Sequence, residues 1–261
     1  MYAIIFIIYF IQGLNHLDFG KYFSVDYEGP PVELFGSGHL ATLITLLILI
    51  VYVIMIRNAS QKVKDFTRYA IVFFMWGAEI SWHLWNVINH TWTVQSMLPL
   101  HMCSLMIWVA GYMMLTDDRR LYPFVYFLGV GGAIQAVLTP ESGVYGFPHF
   151  RYIQTVTAHS FLILTGVYMT VVERLRPTWK DILKVLIYAN VYMVIVFLIN
   201  LMLGSNYLFI NQKPPTTSVI DLLPAWPFYI PFLELIGLAS FLILYFPFLV
   251  GDGFKMIFQK K

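Results

Sequence analysis

The chain has 261 residues, of which 59% are hydrophobic and only 11% charged, with a mean hydropathy of +0.72. A soluble fold of this length cannot hide that much apolar surface, and disordered chains are polar and highly charged, so the composition specifies a multi-pass membrane protein. A net charge of +2 without a basic stripe excludes nucleic-acid binding, and one cysteine excludes an internal disulfide, a CxxC redox pair and a multi-Cys zinc site.

The first twelve residues, Met1–Gln12, are apolar but short for a span. They have no basic flank or small-residue cleavage site, so they read as an interfacial helix or a short eighth span rather than a signal peptide. Seven segments then reach the roughly 20 mostly apolar residues that a helical span requires. They are His39–Ile56, Arg68–Ile88, Leu98–Leu115, Leu121–Leu138, Ile153–Val172, Asp181–Leu203 and Tyr229–Val250. The expected fold is an all-α membrane bundle of about seven spans, with a six-helix core as the alternative. Residues 1–38 form an N-terminal segment, 39–250 the membrane domain and 251–261 a tail.

Lysine and arginine set the expected orientation. Thirteen of the sixteen basic residues follow spans one, three, five and seven, and only Lys21, Arg151 and Lys213 fall on the other side. The positive-inside rule places the C-terminal tail in the cytoplasm of a cell-membrane protein and residues 14–38 outside. Turn-rich stretches (Gly29-Pro30-Pro31, Thr139 to Pro148, Pro214-Pro215 and Pro224 to Pro231) all belong to the outer connections.

Ionisable groups at membrane depth are costly, so each one is a candidate functional residue. On this topology Glu79, His83 and Asn86 lie in the outer half of span two. His101, Cys103 and Ser104 open span three, and Gln135 lies near the end of span four. Thr155, Thr157 and His159 lie in span five, Asn200 near the end of span six, and Glu234 at the start of span seven. Cys103 lies five residues past Leu98 and His159 six past Ile153, which puts both roughly 8–9 Å below the outer span ends. Glu79 and His83 share a helix face at i, i+4. Together these residues predict a polar pocket open to the outer leaflet. Each also has a plainer reading: a buried cysteine is usually an inert small hydrophobe, and a lone membrane histidine usually ties two helices together. His16, His39, His90 and His149 sit near the interface, where a solvated ring costs little.

A thiol beside an imidazole suits nucleophilic acyl transfer, with the thiolate attacking an ester carbonyl and histidine taking and returning the proton. Gln135, Asn200 and Ser104 are candidate donors to the developing oxyanion. No metal or nucleotide cofactor is called for, since no phosphate-binding loop is present. Two other classes compete. Glu79, His83, His159 and Glu234 are the residues a proton-coupled solute transporter would use, although the inner halves of the spans lack polar groups. His83, His101 and His159 are potential haem or quinone ligands.

The stretches LPLHMCSL (Leu98–Leu105), TAHSF (Thr157–Phe161), NYLFINQKP (Asn206–Pro214) and AWPFYI (Ala225–Ile230) resemble bacterial YwaF-like membrane proteins, which are related to the transmembrane protein 164 acyltransferases. The resemblance runs from about Gly36 to Val250. It implies acyl transfer between a phospholipid and a lysophospholipid, with Cys103 carrying the acyl group and His159 assisting. It also makes Asn206, Tyr207 and Lys213 members of an outer-loop motif.

Overall fold

The computed structural model describes residues 19–214 and 219–259, so Met1–Gln12 lies outside the described residues. Seven long helical elements follow in chain order: α1 (Ser37–Met55), α2 (Gln61–Ile88), α3 (Met102–Thr116), α4 (residues 122–138), α5 (Phe150–Val171), α6 (Trp179–Leu203) and α7 (Ile230–Gln259). No strand occurs among the described residues. The connections between α1 and α2, α3 and α4, and α5 and α6 are short and carry Arg57, Arg119, Arg120, Arg174 and Arg176. This basic end is tied together by Arg119 Nη2 to Glu173 (3.2 Å), Tyr168 Oη to the Lys64 carbonyl (3.1 Å) and Arg68 Nε to the Met114 carbonyl. The longer connections gather at the opposite end.

Four stretches are long and apolar enough to cross a bilayer: Ser37–Asn58, Arg119–Leu138, Trp179–Leu203 and Ile230–Val250. The polar residues of α2 and α5 dilute their hydropathy, and α3 has only 15 residues. These three form the packed centre, with α2 against both α5 and α3, and with α1 and α4 flanking α5. The core is built from Met75 of α2, Ala110, Met113 and Met114 of α3, Val125 and Ala133 of α4, and Leu162, Leu164 and Tyr168 of α5. The outward faces are as apolar as this core: Ile44, Leu47 and Ile48 on α1, Ile187, Val194 and Leu201 on α6, and Leu235, Ile243 and Phe246 on α7 are all exposed. A water-soluble monomer does not present so large a continuous apolar surface, whereas a bilayer solvates it without cost.

Two local departures bear on the site. Helix α3 begins at Met102 rather than Leu98. Pro99 lies in the preceding turn, which Tyr207 Oη and Tyr192 Oη hold through Leu98 N (2.9 Å) and Leu100 O (2.9 Å). Cys103 is therefore the second residue of its helix, not five residues inside it. In α4, α-helical Tyr122–Phe124 gives way to a π-helical stretch, Val125–Val130, before α-helix resumes over Gly131–Leu138. Such wide turns are frequent at functional sites and rotate the residues beyond them; here they precede Gly132, which faces Cys103. The last helix extends to Gln259, past the Val250 boundary read from hydropathy.

Candidate active site

A cavity of about 600 Å³ opens at the end opposite the basic loops. It is lined by the last turns of α2, the turn before α3 and its first turn, the end of α4, and the first half of α5. Of the residues singled out in the sequence, Cys103, His159, Glu79, His83, His101, Gln135 and Ser104 all line it. Two larger-ranging expectations are corrected. Asn200 is buried away from the cavity, because its side chain is consumed in holding the chain that follows α6. Glu234 is exposed on α7 and is not among the lining residues, because α7 packs only on the rim of the bundle against α4 and α6.

The arrangement around Cys103 is close. An atom added at the Cβ position of Gly132 would lie 3.1 Å from the Cys103 sulfur, so only glycine leaves the thiol its present position against α4. The first backbone N–H groups of a helix have no intrahelical acceptor. The residue preceding α3, His101, gives them no side-chain cap, so the amides at Cys103 and Ser104 are donors near the thiol. The Ser104 hydroxyl in turn reaches the carboxyl of Glu79, which is 3% exposed. Glu79 Oε1 is 3.8 Å from His83 Nε2, and His83 Nδ1 accepts from Trp92 Nε1 at 3.1 Å.

The histidine hydrogen bonds separate one ring from the others. Nδ1 of His39, His83, His101 and His149 each accepts from an N–H group, which assigns the lone pair to that nitrogen. In His159 the partner of Nδ1 is the Thr155 carbonyl at 2.8 Å. A carbonyl only accepts, so Nδ1 carries the proton and Nε2 presents the lone pair. His39 and His149 are structural: His39 bridges to the Val137 carbonyl (2.9 Å) and His149 to the Ser24 carbonyl (3.0 Å), which join the outer segment to the bundle.

The outer-loop motif frames this cavity. Asn200 Nδ2 donates to Tyr207 O (2.9 Å) and Asn211 Oδ1 (2.7 Å), and its Oδ1 accepts from Ser205 Oγ (2.8 Å) and Tyr207 N (2.9 Å). Asn206 Oδ1 accepts from the amides of Asn211 and Gln212, and Lys213 Nζ donates to the Leu223 carbonyl at 2.7 Å. Tyr207, buried, donates to Val94 O at 2.7 Å. These bonds press Phe209 onto the cavity wall and pack Tyr207 and Phe209 on the His101 ring, with both centroid separations 5.3 Å.

The cavity also contains residues that the sequence reading passed over: Arg151, Glu141, Trp82 and Thr139. For Arg151 a signal existed, since it is one of only three basic residues on its side of the chain. Among the described residues no three His, Cys, Asp or Glu side chains gather to hold a metal ion.

An all-helical bundle with an apolar exterior and a polar cavity at one end defines a membrane protein. The sequence model of the TMEM164 family matches residues 34–245, and the chain belongs to that family. No curated protein and no solved structure matches it.

Proposed function

We propose that the protein is a membrane-embedded acyltransferase that moves a fatty acyl chain from a phospholipid to a lysophospholipid through a thioester on Cys103. The observation that carries this reading is the His159 ring, whose Nδ1 is committed to the Thr155 carbonyl while it lines the same cavity as the thiol. Nε2 takes the thiol proton as sulfur attacks the ester carbonyl, and returns it to the departing lysolipid oxygen. The second acceptor's hydroxyl then gives its proton to Nε2 and attacks the thioester, which releases the thiol. The free amides at the start of α3 are better placed than Asn200 to stabilise the oxyanion, with Gln135 and Ser104 as side-chain donors. Glu79 with His83 positions the acceptor.

The apolar exterior brings lipid esters to this depth without extraction from the bilayer. The basic end is the cytoplasmic one in this reading, so the cavity serves the opposite leaflet of the cell membrane. Solute transport is disfavoured because Met75, Met113, Met114, Leu164 and Tyr168, each no more than 1% exposed, fill the bundle centre between the cavity and the basic end.

The test is labelling of purified protein with a phospholipid bearing an alkyne-tagged acyl chain. Wild type is expected to acquire a hydroxylamine-sensitive label and to pass it to added lysophospholipid. Cys103→Ala is expected to do neither, and His159→Gln to do both at least about a hundredfold more slowly. Unchanged acyl transfer by Cys103→Ala overturns the mechanism.

A further inference from the structure

We propose that Arg151 forms the phosphate-binding subsite of the cavity, the group that holds the lipid phosphate and so sets its ester against Cys103. The inference rests on the acyl-transfer reading for the position of the reacting ester, and on separate observations for the phosphate.

Arg151 occupies the first turn of α5, where the helix dipole opposes a cation, so local helix stability does not explain it. It lines the same cavity as Cys103 and His159. Its guanidinium lies 3.9 Å above the Trp82 ring, and Nη1 donates to Gln154 and Thr155. These contacts fold the side chain down along α5 and fix its plane. Both hydrogen bonds use Nη1. The Nε–Nη2 edge makes none among the described residues, and that edge of a guanidinium is suited to bidentate recognition of a phosphate.

The spacing fits the proposed chemistry. Arg151, Thr155 and His159 follow one another at i, i+4 and i+8 on one face of α5. The guanidinium bonded to Thr155 is thus one turn above the His159 backbone, and because the His159 ring reaches back to the Thr155 carbonyl the axial distance from guanidinium to ring is at most about 6 Å. In a glycerophospholipid the sn-2 ester carbonyl carbon and the phosphorus are five covalent bonds apart, about 6 Å when extended. A lipid with its ester between the thiol and His159 therefore places its phosphate at the level of Arg151. Glu79 and Glu141 also lie in the field of Arg151, so a phosphate must share the guanidinium with them; geometry, rather than bare charge, makes the site selective.

The experiment uses the full chain carrying Cys103→Ala, so that no acyl transfer intervenes, in detergent micelles. The probes are a fluorescent phosphatidylcholine and a diacylglycerol with the same acyl chains. Arg151→Gln is expected to weaken phosphatidylcholine binding roughly tenfold or more and to leave diacylglycerol binding within about twofold. Arg151→Lys, which keeps the charge and loses the fork, is expected to fall between them, and it carries the same comparison should Arg151→Gln not fold. Equal loss of both lipids, or of neither, overturns the subsite. So does protection by inorganic phosphate without any preference of phosphatidylcholine over diacylglycerol. Arg151-dependent phospholipid binding, together with no acyl label on Cys103 of the wild-type chain, retains the subsite and removes the transferase reading. Acyl labelling of the wild-type chain with no phosphate preference in the Cys103→Ala chain does the reverse.

Discussion

Replacing Asn200 with alanine isolates the contribution of one side chain to the cavity wall. Asn200 is 1% exposed and makes four hydrogen bonds, two as donor and two as acceptor. Ser205 and Asn211 are only partly buried and can turn to water after the substitution. The backbone N–H and C=O of Tyr207 cannot, because Tyr207 is 1% exposed. Stranding a buried backbone group costs about 1–3 kcal/mol, so the two groups together give a local destabilisation of about 2–6 kcal/mol. At 1.4 kcal/mol per factor of ten this corresponds to opening of the segment roughly 30- to 20,000-fold more often. Hydrogen exchange of a peptide covering residues 204–213, followed by mass spectrometry, reads that opening directly. Asn190→Ala on the same helix is the control, since Asn190 is exposed and bonds only to the Leu186 carbonyl one turn away. Exchange accelerated less than about threefold by Asn200→Ala would show that Tyr207 finds other partners, and would refute the clamp. Because Phe209 belongs to the same segment and lines the cavity, acyl transfer should fall in the same variant.

Gly132→Ala places a methyl group 3.1 Å from the Cys103 sulfur, and the thiol must move by a few tenths of an ångström. Label acquisition should slow by about tenfold or more with little change in thermal stability, and an unchanged rate would show that the thiol has room to spare. Tyr207→Phe removes the hydroxyl that joins Val94 O and Leu98 N; a loss of about 1–3 kcal/mol is expected in thermal unfolding, with a full-strength fold arguing against the bridge. Burial holds the His149 imidazole below its ordinary 6.5, and its Nδ1 must stay unprotonated to accept from Arg151 N. Both states are neutral well above pH 6.5. As pH falls through 6.5 the unfolded chain binds the proton first, and stability drops until the folded-state value is passed. His149→Asn keeps an N-cap acceptor and should flatten the melting temperature between pH 6.5 and 5; an identical slope in the variant would assign the pH dependence elsewhere.

The membrane class, the seven helices and the identity of most polar cavity residues were legible in the sequence. Each rests on a local quantity: apolar run length, the spacing of basic residues, and the cost of a polar group at membrane depth. His159, Glu79, His83, His101 and Gln135 were identified because lipid penalises them wherever the chain turns, and Cys103 because its thiol falls at the depth of one of those imidazoles. Tertiary structure decided what those penalties could not. Asn200 looked like a pocket residue from its depth, yet four partners within eleven residues of it turn it to the loop. Glu234 looked the same, yet α7 leaves it exposed, because which face of a rim helix points inward depends on its neighbours and not on its own composition. Equal depth below the span ends was the reason to pair Cys103 with His159. The helices begin elsewhere: α3 later, after the turn that tyrosines hold around Pro99, and α5 earlier, at Phe150. The two residues still line one cavity because α3, α4 and α5 converge there around glycines that admit close approach, a relation between distant segments that no local pattern encodes.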